Sequence, residues 1–270
     1  MTELPKNRFK AALKNKERPF GTWIMSGSEV VAEALSHAGY DFLIVDMEHS
    51  PNDTRSALHH LQAIEGQGTT EAIVRLAWND IVRVKQALDI GARTIMVPFV
   101  QSADQARDIV DFANYPSRGK GDDGKRGIAL MHRAARYGTI ADYYERAREE
   151  ICLILQIETP AALAELPEMV KIPGVDAIFL GPADMSASMG KFGQFGDPAF
   201  EAVLKQTLDV CHAAGLPAGI VGGNDALTQH LIDIGFDFVA SATDLGLLMR
   251  IAAQQVATFK KVEQKAGLGY

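Results

Sequence analysis

Residues 151–184 read ICLILQIETPAALAELPEMVKIPGVDAIFLGPAD, in which two short apolar runs flank a helical pattern. The first run ends in Gln156 and Glu158, and the second ends in Gly181-Pro182-Ala183-Asp184. Short apolar runs that alternate with helices predict buried parallel strands. Because neighbouring parallel strands end at the same edge, we expect Glu158 and Asp184 to lie side by side. Two such carboxylates suit a hard divalent cation.

The same alternation of strand and helix extends along the chain. The predicted strands are 20–25, 42–47, 71–76, 93–99, 151–158, 177–181, 218–222 and 238–242. The predicted helices are 28–38, 53–65, 80–90, 102–114, 160–171, 197–214, 224–234 and 245–265. This pattern predicts one α/β domain over residues 1–270, a (β/α)8 TIM barrel. An open doubly wound sheet is the alternative, but no strand is followed by a G-x-G-x-x-G turn.

Several helix ends are marked by residues that favour caps. Gly39, Gly91, Gly215 and Gly235 stand where helices should stop, since glycine accepts the left-handed conformation. Asp80 and Asn224 stand where N-caps belong.

Composition narrows the function classes. Hydrophobic residues make up 47% of the 270 residues, enough for a large core, and the net charge of −7 argues against nucleic acid as the main partner. No apolar run approaches the roughly 20 residues that span a bilayer, and the first 20 residues do not resemble a signal peptide. The two cysteines, Cys152 and Cys211, fit buried thiols and a reducing cytoplasm.

Polar side chains are concentrated where the predicted strands end. They are Asp46, Glu48, His49, Arg75, Gln101, Gln156, Glu158, Asp184, Asn224, Ser241 and Thr243. Barrel enzymes carry their active sites at this end, so the pattern favours an enzyme over a scaffold.

Each candidate residue also has a structural interpretation. Glu158 can be an ordinary strand-end carboxylate, and Asp184 can be a helix N-cap. His49 suits a general acid or base, although a histidine after a strand is often structural. Arg75 can bind an oxyanion, pair with Asp46 or Glu48, or do both. Asp89 looks like a solvated helix residue.

The longest irregular stretch is 115–139, YPSRGKGDDGKRGIALMHRAARYGT. Long loops in compact domains are commonly functional. We expect a lid that carries Arg126 over the barrel mouth, with a solvated surface loop as the alternative.

Taken together, these residues resemble the HpcH/HpaI aldolase family of metal-dependent class II pyruvate aldolases. The matching motifs are Gly21-Thr22-Trp23, Asp46-Met47-Glu48-His49-Ser50-Pro51, Val74-Arg75, Trp78-Asn79-Asp80, Val97-Pro98, Arg126-Gly127, Gln156-Ile157-Glu158-Thr159 and Gly181-Pro182-Ala183-Asp184. They span nearly the whole chain, and their combination is far more specific than any single motif.

The resemblance implies a role for each matched residue. Glu158 and Asp184 match the metal ligands, His49 matches the general base, and Asp89 matches the acid that raises its basicity. Arg75 matches the residue that stabilises the enolate. The implied substrate-binding residues are Gln156, Gly181, Ala183, Asp184 and Arg126. The implied cofactor is Mg2+, Mn2+ or Co2+ with no organic cofactor. The implied assembly is a homo-hexamer, a trimer of dimers whose last helices are exchanged between protomers.

One segment departs from the family pattern. After Arg126-Gly127 the chain carries the bulkier Leu130, Met131 and His132. These residues leave the aldehyde-side preference open, whereas the pyruvate half is unaffected.

We therefore expect reversible retro-aldol cleavage of a 4-hydroxy-2-oxo acid to pyruvate and an aldehyde by a metal-enolate mechanism. Succinic semialdehyde, lactaldehyde, glyceraldehyde and tartronate semialdehyde all remain open as the aldehyde. The alternatives are a lyase for acyl-CoA or phosphoenolpyruvate-type substrates on the same barrel, or a non-catalytic barrel that binds sugar acids.

Overall fold

A computed structural model describes residues 2–66, 68–116 and 124–260 of the chain. Eight parallel strands follow one another around a closed barrel, and β1 pairs with β8 through Phe20 and Val239. The strands are β1 (Phe20–Ile24), β2 (Phe42–Asp46), β3 (Glu71–Arg75), β4 (Thr94–Val97), β5 (Cys152–Ile157), β6 (Ala177–Leu180), β7 (Ala218–Val221) and β8 (Phe238–Thr243). Closure excludes the open sheet and confirms the predicted (β/α)8 barrel.

The helices lie outside the barrel and at its ends. They are α1 (Arg8–Asn15), α2 (Glu29–Ser36), α3 (Thr54–Glu65), α4 (Ile81–Asp89), α5 (Ala103–Ala113), α6 (Tyr143–Glu150), α7 (Pro160–Met169), α8 (Pro182–Ser188), α9 (Pro198–Ala213), α10 (Asp225–Ile234) and α11 (Asp244–Lys260). Eight of them correspond to predicted helices. The sequence patterns missed α1, α6 and α8, of which α8 begins within the Gly181-Pro182-Ala183-Asp184 motif.

The predicted caps form as expected. The Asp80 side chain accepts from the amides of Val82 and Arg83, and Asn224 accepts from the amide of Leu227. Gly235 ends α10 with a φ of 110°, in the left-handed region that favours glycine.

Two apolar layers build the core. One fills the space between the barrel and its helices, and the other fills the barrel interior. Helix α1 contributes to the interior, because the ring of Phe9 packs edge-on against those of Phe42 and Phe238. The ring centroids are 5.2 and 5.4 Å apart, respectively. Both Phe42 and Phe238 begin their strands, so α1 closes the amino-terminal end of the barrel.

The segment between α5 and β5 lies at this same amino-terminal end. The amide of Arg126 donates to the Asn114 carbonyl at 2.9 Å, and the amide of Ala134 donates to the Asp89 carbonyl at 3.2 Å. Both acceptors lie at the carboxyl ends of helices. From these ends the chain returns to the amino-terminal end of the barrel, where the strands begin. The described part of the predicted lid, 115–116 and 124–139, therefore lies away from its own barrel mouth. Residues 117–123 are outside the described residues.

The last helix is unusually exposed. Of its residues only Asp244 is buried. Its exposed large apolar side chains are Leu245, Leu248, Met249, Ile251, Val256 and Phe259. The predicted end of this helix, 261–265, lies outside the described residues. Among the described helices, none is long and apolar enough to cross a bilayer.

Candidate active site

A cavity of about 160 Å³ opens at the carboxyl-terminal end of the barrel. It is lined by Trp23, Met25, His49, Arg75, Gln156, Phe179, Gly181, Pro182, Ala183, Asp184, Val221 and Thr243. This volume is below the roughly 300–1,000 Å³ of pockets for drug-sized ligands, so it suits a small molecule. Six of the predicted site residues line it, contributed by strand ends far apart in sequence.

Arg75 is the positive charge of this cavity. Its Nε and Nη2 donate to the two oxygens of Asp46 at 2.8 and 2.7 Å, and Nη1 lies 3.1 Å from Glu48 Oε2. The guanidinium also lies over the Trp23 ring, 4.3 Å from its centroid. A fork held by two carboxylates and a ring face has little rotational freedom. Arg75 is therefore fixed in direction while still lining the cavity, and the predicted ion pair is present.

Asp46 organises both Arg75 and the following turn. It is fully buried, and besides Arg75 it accepts from the amides of Glu48 at 2.9 Å and His49 at 3.3 Å. One buried carboxylate thus connects the end of β3 to the turn that carries the imidazole. Sequence reasoning gave Asp46 as a strand-end residue and a possible partner of Arg75 but did not assign it this turn, although an aspartate at the start of a turn commonly accepts from amides two or three residues on.

Glu158 and Gln156 lie together at the end of β5. The Gln156 amide donates to Glu158 Oε1, and both side chains are buried. The carboxylate packs against Gly181, where an added Cβ would lie 2.8 Å from Oε1. Only glycine leaves this space. The side-chain oxygen of Gln156 is buried without a hydrogen-bond partner among the described residues.

The negative charge at this end of the barrel is poorly compensated. The pKa of Glu158 is raised to about 8, first by burial and then by the carboxylates of Glu48 and Asp184. Arg75 and the backbone amide of Phe99 act in the opposite direction. Burial also raises the pKa of Glu48, against the effect of Arg75.

These residues fit a divalent cation. Carboxylate oxygens are the ligands that Mg2+ and Mn2+ prefer, and a cation would relieve the repulsion that raises the pKa of Glu158. Within the described residues no cluster of three or more acidic, histidine or cysteine side chains is placed to hold a metal. Held by Glu158 and Asp184 alone, a cation would keep positions for water and substrate.

Asp184 belongs to the first turn of α8 and is exposed. The N-cap position is taken by Gly181, so Asp184 is not the N-cap that the structural interpretation suggested. Amides in a first helical turn have no intrahelical partner, and those of Ala183 and Asp184 stand at the cavity wall.

His49 lies at the rim of the cavity. Its side chain is 62% exposed, and Nε2 is 4.0 Å from Glu48 Oε2. The imidazole can therefore exchange protons with solvent or with a molecule in the cavity.

Asp89 and Arg126 form an ion pair with each other, and neither contacts His49 of the same chain. Asp89 ends α4, at the amino-terminal end of the barrel, and its Oδ1 accepts from Arg126 Nη2 at 2.7 Å. The buried Arg126 guanidinium lies 4.4 Å from the Tyr115 ring centroid, and His132 Nε2 is 3.9 Å from Asp89. Burial lowers the pKa of His132, with Asp89 opposing. Within one chain, the structure does not bring Asp89 or Arg126 to the cavity, because both precede a strand instead of following one.

Comparisons with known proteins show which family the chain resembles over most of its length. The profile of the family described as HpcH/HpaI aldolase/citrate lyase matches residues 19–250. The 2-dehydro-3,6-dideoxy-6-sulfogluconate aldolase of Pseudomonas putida is 45% identical over 248 residues, which cover 92% of this chain and 95% of that one.

Two further relatives are similar over most of their length. The 4-hydroxy-2-oxo-heptane-1,7-dioate aldolase of Shigella sonnei (strain Ss046) is 40% identical over 254 residues, covering 94% of this chain and 95% of that one. The crystal structure of a HpcH/HpaI aldolase/citrate lyase family protein from Burkholderia cenocepacia J2315 superposes with a TM-score of 0.90 at 36% identity, covering 94% of this chain and all of the other.

Proposed function

The chain belongs to the HpcH/HpaI aldolase/citrate lyase family, and we propose that it is a class II pyruvate aldolase. The reaction is reversible cleavage of a 4-hydroxy-2-oxo acid to pyruvate and an aldehyde. One observation carries the proposal: a fixed guanidinium, an acidic side chain and an exposed imidazole line a single small cavity, and a second carboxylate, Glu158, packs against Gly181 in its wall.

The proposed cofactor is a divalent cation, Mg2+, Mn2+ or Co2+, held by Glu158 and Asp184. When bound, it supplies a Lewis acid for the 2-oxo acid. The Gln156 amide donates to Glu158 and so restrains the orientation of that carboxylate. Gly181 leaves room for the carboxylate, and the amides of Ala183 and Asp184 are available to the acid group of pyruvate.

Arg75 stabilises the negative charge that develops on the 2-oxo oxygen during cleavage. Its direction is set in advance by Asp46, Glu48 and the Trp23 ring. Donors that are already oriented toward developing charge need no reorganisation during the reaction. Asp46, Glu48 and the Trp23 ring hold the guanidinium in place. The part of Arg75 that lines the cavity remains available to substrate.

His49 moves the proton. In the cleavage direction its imidazole accepts the proton of the 4-hydroxyl group, and the bond between C3 and C4 breaks to give the aldehyde and the enolate of pyruvate. The imidazolium then returns a proton to C3, which completes pyruvate. In the reverse direction the imidazole takes a methyl proton from pyruvate. Its position at the rim lets that proton reach solvent. No lysine is among the described residues that line the cavity, so a Schiff base has no amine to form on.

The proposed roles of Asp89 and Arg126 require a second copy of the chain. Because both residues lie at the amino-terminal end of their own barrel, Asp89 can reach a His49 only in a neighbouring protomer. The same holds for a lid formed by the segment after α5. The exposed apolar side chains of α11 support an assembly in which that helix packs on a partner, and the proposed state is a hexamer built from dimers.

The proposed location is the cytoplasm. Cys152 and Cys211 are both free and buried, as thiols in a reducing compartment are. Cell fractionation with an antibody to the chain tests this location.

A pyruvate-release assay tests the reaction. The panel contains 4-hydroxy-2-oxo acids whose aldehyde halves end in a carboxylate, a hydroxyl or a methyl group, each with and without a chelator. We expect turnover that the chelator abolishes and that added Mn2+ or Mg2+ restores. Full activity after exhaustive chelation, or ligand binding with no pyruvate from any substrate, refutes the proposal.

A further inference from the structure

Phe99 adopts a backbone conformation that is unfavourable for a residue with a side chain. It follows β4 and has a φ of 53°, in the left-handed region. An aromatic residue rarely occupies that region, because its Cβ approaches the following carbonyl. Such conformations persist only where neighbouring groups enforce them, and they are concentrated at functional sites.

The bend at Phe99 turns the chain so that residues 99–101 run beside the end of β5. The Val100 amide donates to the Gln156 carbonyl at 3.0 Å, and the Thr159 hydroxyl donates to Gln101 Oε1 at 2.6 Å. Between these two contacts, the backbone N–H of Phe99 lies near enough to the Glu158 carboxylate to lower its pKa, against the larger effect of burial. The turn therefore hydrogen-bonds to Gln156 and Thr159, on either side of Glu158, and brings the Phe99 amide near Glu158 itself.

Two residues of the loop after β3 hold Phe99 from the other side. The Trp78 ring stacks on the Phe99 ring, with centroids 5.8 Å apart and planes 26° apart. The Asn79 side-chain amide donates to the Phe99 carbonyl at 3.3 Å. Both rings are substantially exposed, so the stack is not part of the core. Neither ring lines the mouth cavity.

We propose that Trp78, Asn79 and Phe99 form an aromatic strap that positions the Glu158 carboxylate for the cation. The inference rests on the proposed function, since it assigns a task to residues beside the proposed cation ligand. These are positioning residues, because they act through the backbone at Phe99 and do not touch the reacting atoms. The strap also explains Trp78 and Asn79 in the Trp78-Asn79-Asp80 motif. The third residue, Asp80, is the N-cap of α4.

Mn2+ binding to chelator-stripped protein tests the strap. Free Mn2+ is measured by electron paramagnetic resonance for the wild type, Trp78→Ala, Phe99→Ala and Phe99→Gly, with thermal unfolding followed by circular dichroism. The matched control is Val82→Ala, an exposed apolar residue in the first turn of α4.

We expect Trp78→Ala and Phe99→Ala to weaken Mn2+ binding about tenfold, the size typical when a group supporting a metal ligand is lost. Their melting temperatures should stay near that of the wild type because both rings are exposed. Phe99→Gly should lose less affinity than Phe99→Ala, since glycine takes the left-handed conformation freely. Val82→Ala should bind as the wild type does.

The outcomes separate the two proposals. A wild type that binds Mn2+ alongside a Trp78→Ala variant of unchanged affinity refutes the strap and leaves the proposed function standing. If Phe99→Ala and Phe99→Gly lose the same Mn2+ affinity, the left-handed backbone at Phe99 does not contribute to cation binding. A wild type that binds no Mn2+ overturns both.

Discussion

Replacing Asp46 by asparagine should separate stability from catalysis at the barrel mouth. The change keeps the shape of the side chain but removes the charge that two Arg75 nitrogens contact at 2.8 and 2.7 Å. Arg75 would keep Glu48, 3.1 Å away, as its remaining carboxylate. Breaking a buried ion pair from one side costs about 3–5 kcal/mol. Because Glu48 remains, we expect a loss near the lower value, about 3 kcal/mol.

That loss corresponds to a fall in melting temperature of about 6–12 °C for a chain of this size. We also expect kcat for pyruvate release to fall about 100-fold, because one preoriented donor to developing negative charge is typically worth that much. The assays are thermal unfolding followed by circular dichroism, and steady-state kinetics coupled to pyruvate detection.

Asp176→Asn provides the matched control. Like Asp46, Asp176 is a carboxylate held in ion pairs: it contacts Lys10 at 3.1 Å and Arg148 at 3.2 Å. It also accepts from the Leu153 amide. It lies at the amino-terminal end of the barrel, so its replacement should lower the melting temperature without lowering kcat. If Asp46→Asn is destabilised but keeps the kcat of the wild type, the direction of Arg75 does not matter for the reaction and the reasoning fails.

Three further outcomes follow from the site and the last helix. In cation-free protein, the raised pKa of Glu158 means that the folded state holds a proton that the unfolded state releases between about pH 4.5 and 8. The free energy of unfolding should therefore fall by up to ~1.4 kcal/mol per pH unit as pH rises through that window. Urea unfolding in the presence of a chelator should show this fall, and Glu158→Gln should remove it. If the free energy of unfolding of Glu158→Gln changes with pH as steeply as that of the wild type, the proton belongs to another group. His49→Ala should lower kcat about 10²–10⁴-fold with little change in melting temperature, and an active variant would rule out the imidazole as the base. Leu248→Asp should reduce the assembly size measured by light scattering, because it places a charge on the exposed apolar side of α11; an unchanged mass would show that this side is not an interface.

The positions of the eight strands were predictable from the sequence because each is a short apolar run with a marked end. The stretch from Ile151 to Asp184 shows why: β5 and β6 are buried on both sides, so they contain few polar residues until the chain reaches the mouth. Helix α1 was missed because its apolar face is only Phe9 and Leu13, one turn apart. Two apolar residues give too little periodicity to identify a helix.

The site was predictable where a residue ends a strand, and harder to place elsewhere. Arg75, Gln156 and Glu158 all lie at the carboxyl end of the barrel for this reason. Asp89 and Arg126 do not, because each lies on the path from a helix to the next strand. The strand and helix assignments already implied that location, whereas Asp89 was linked to His49 only by the family resemblance and Arg126 to the mouth by its long irregular segment. The left-handed backbone at Phe99 has no sequence signal, since glycine or asparagine would normally mark such a bend.

The arrangement around Arg75 gives the barrel a permanent electric field. A guanidinium stays protonated at every pH at which proteins remain folded, and here two carboxylates and an indole also prevent it from turning. Because such a fixed positive charge would act on the pyruvate half of the substrate, changes in aldehyde preference during evolution need not disturb it.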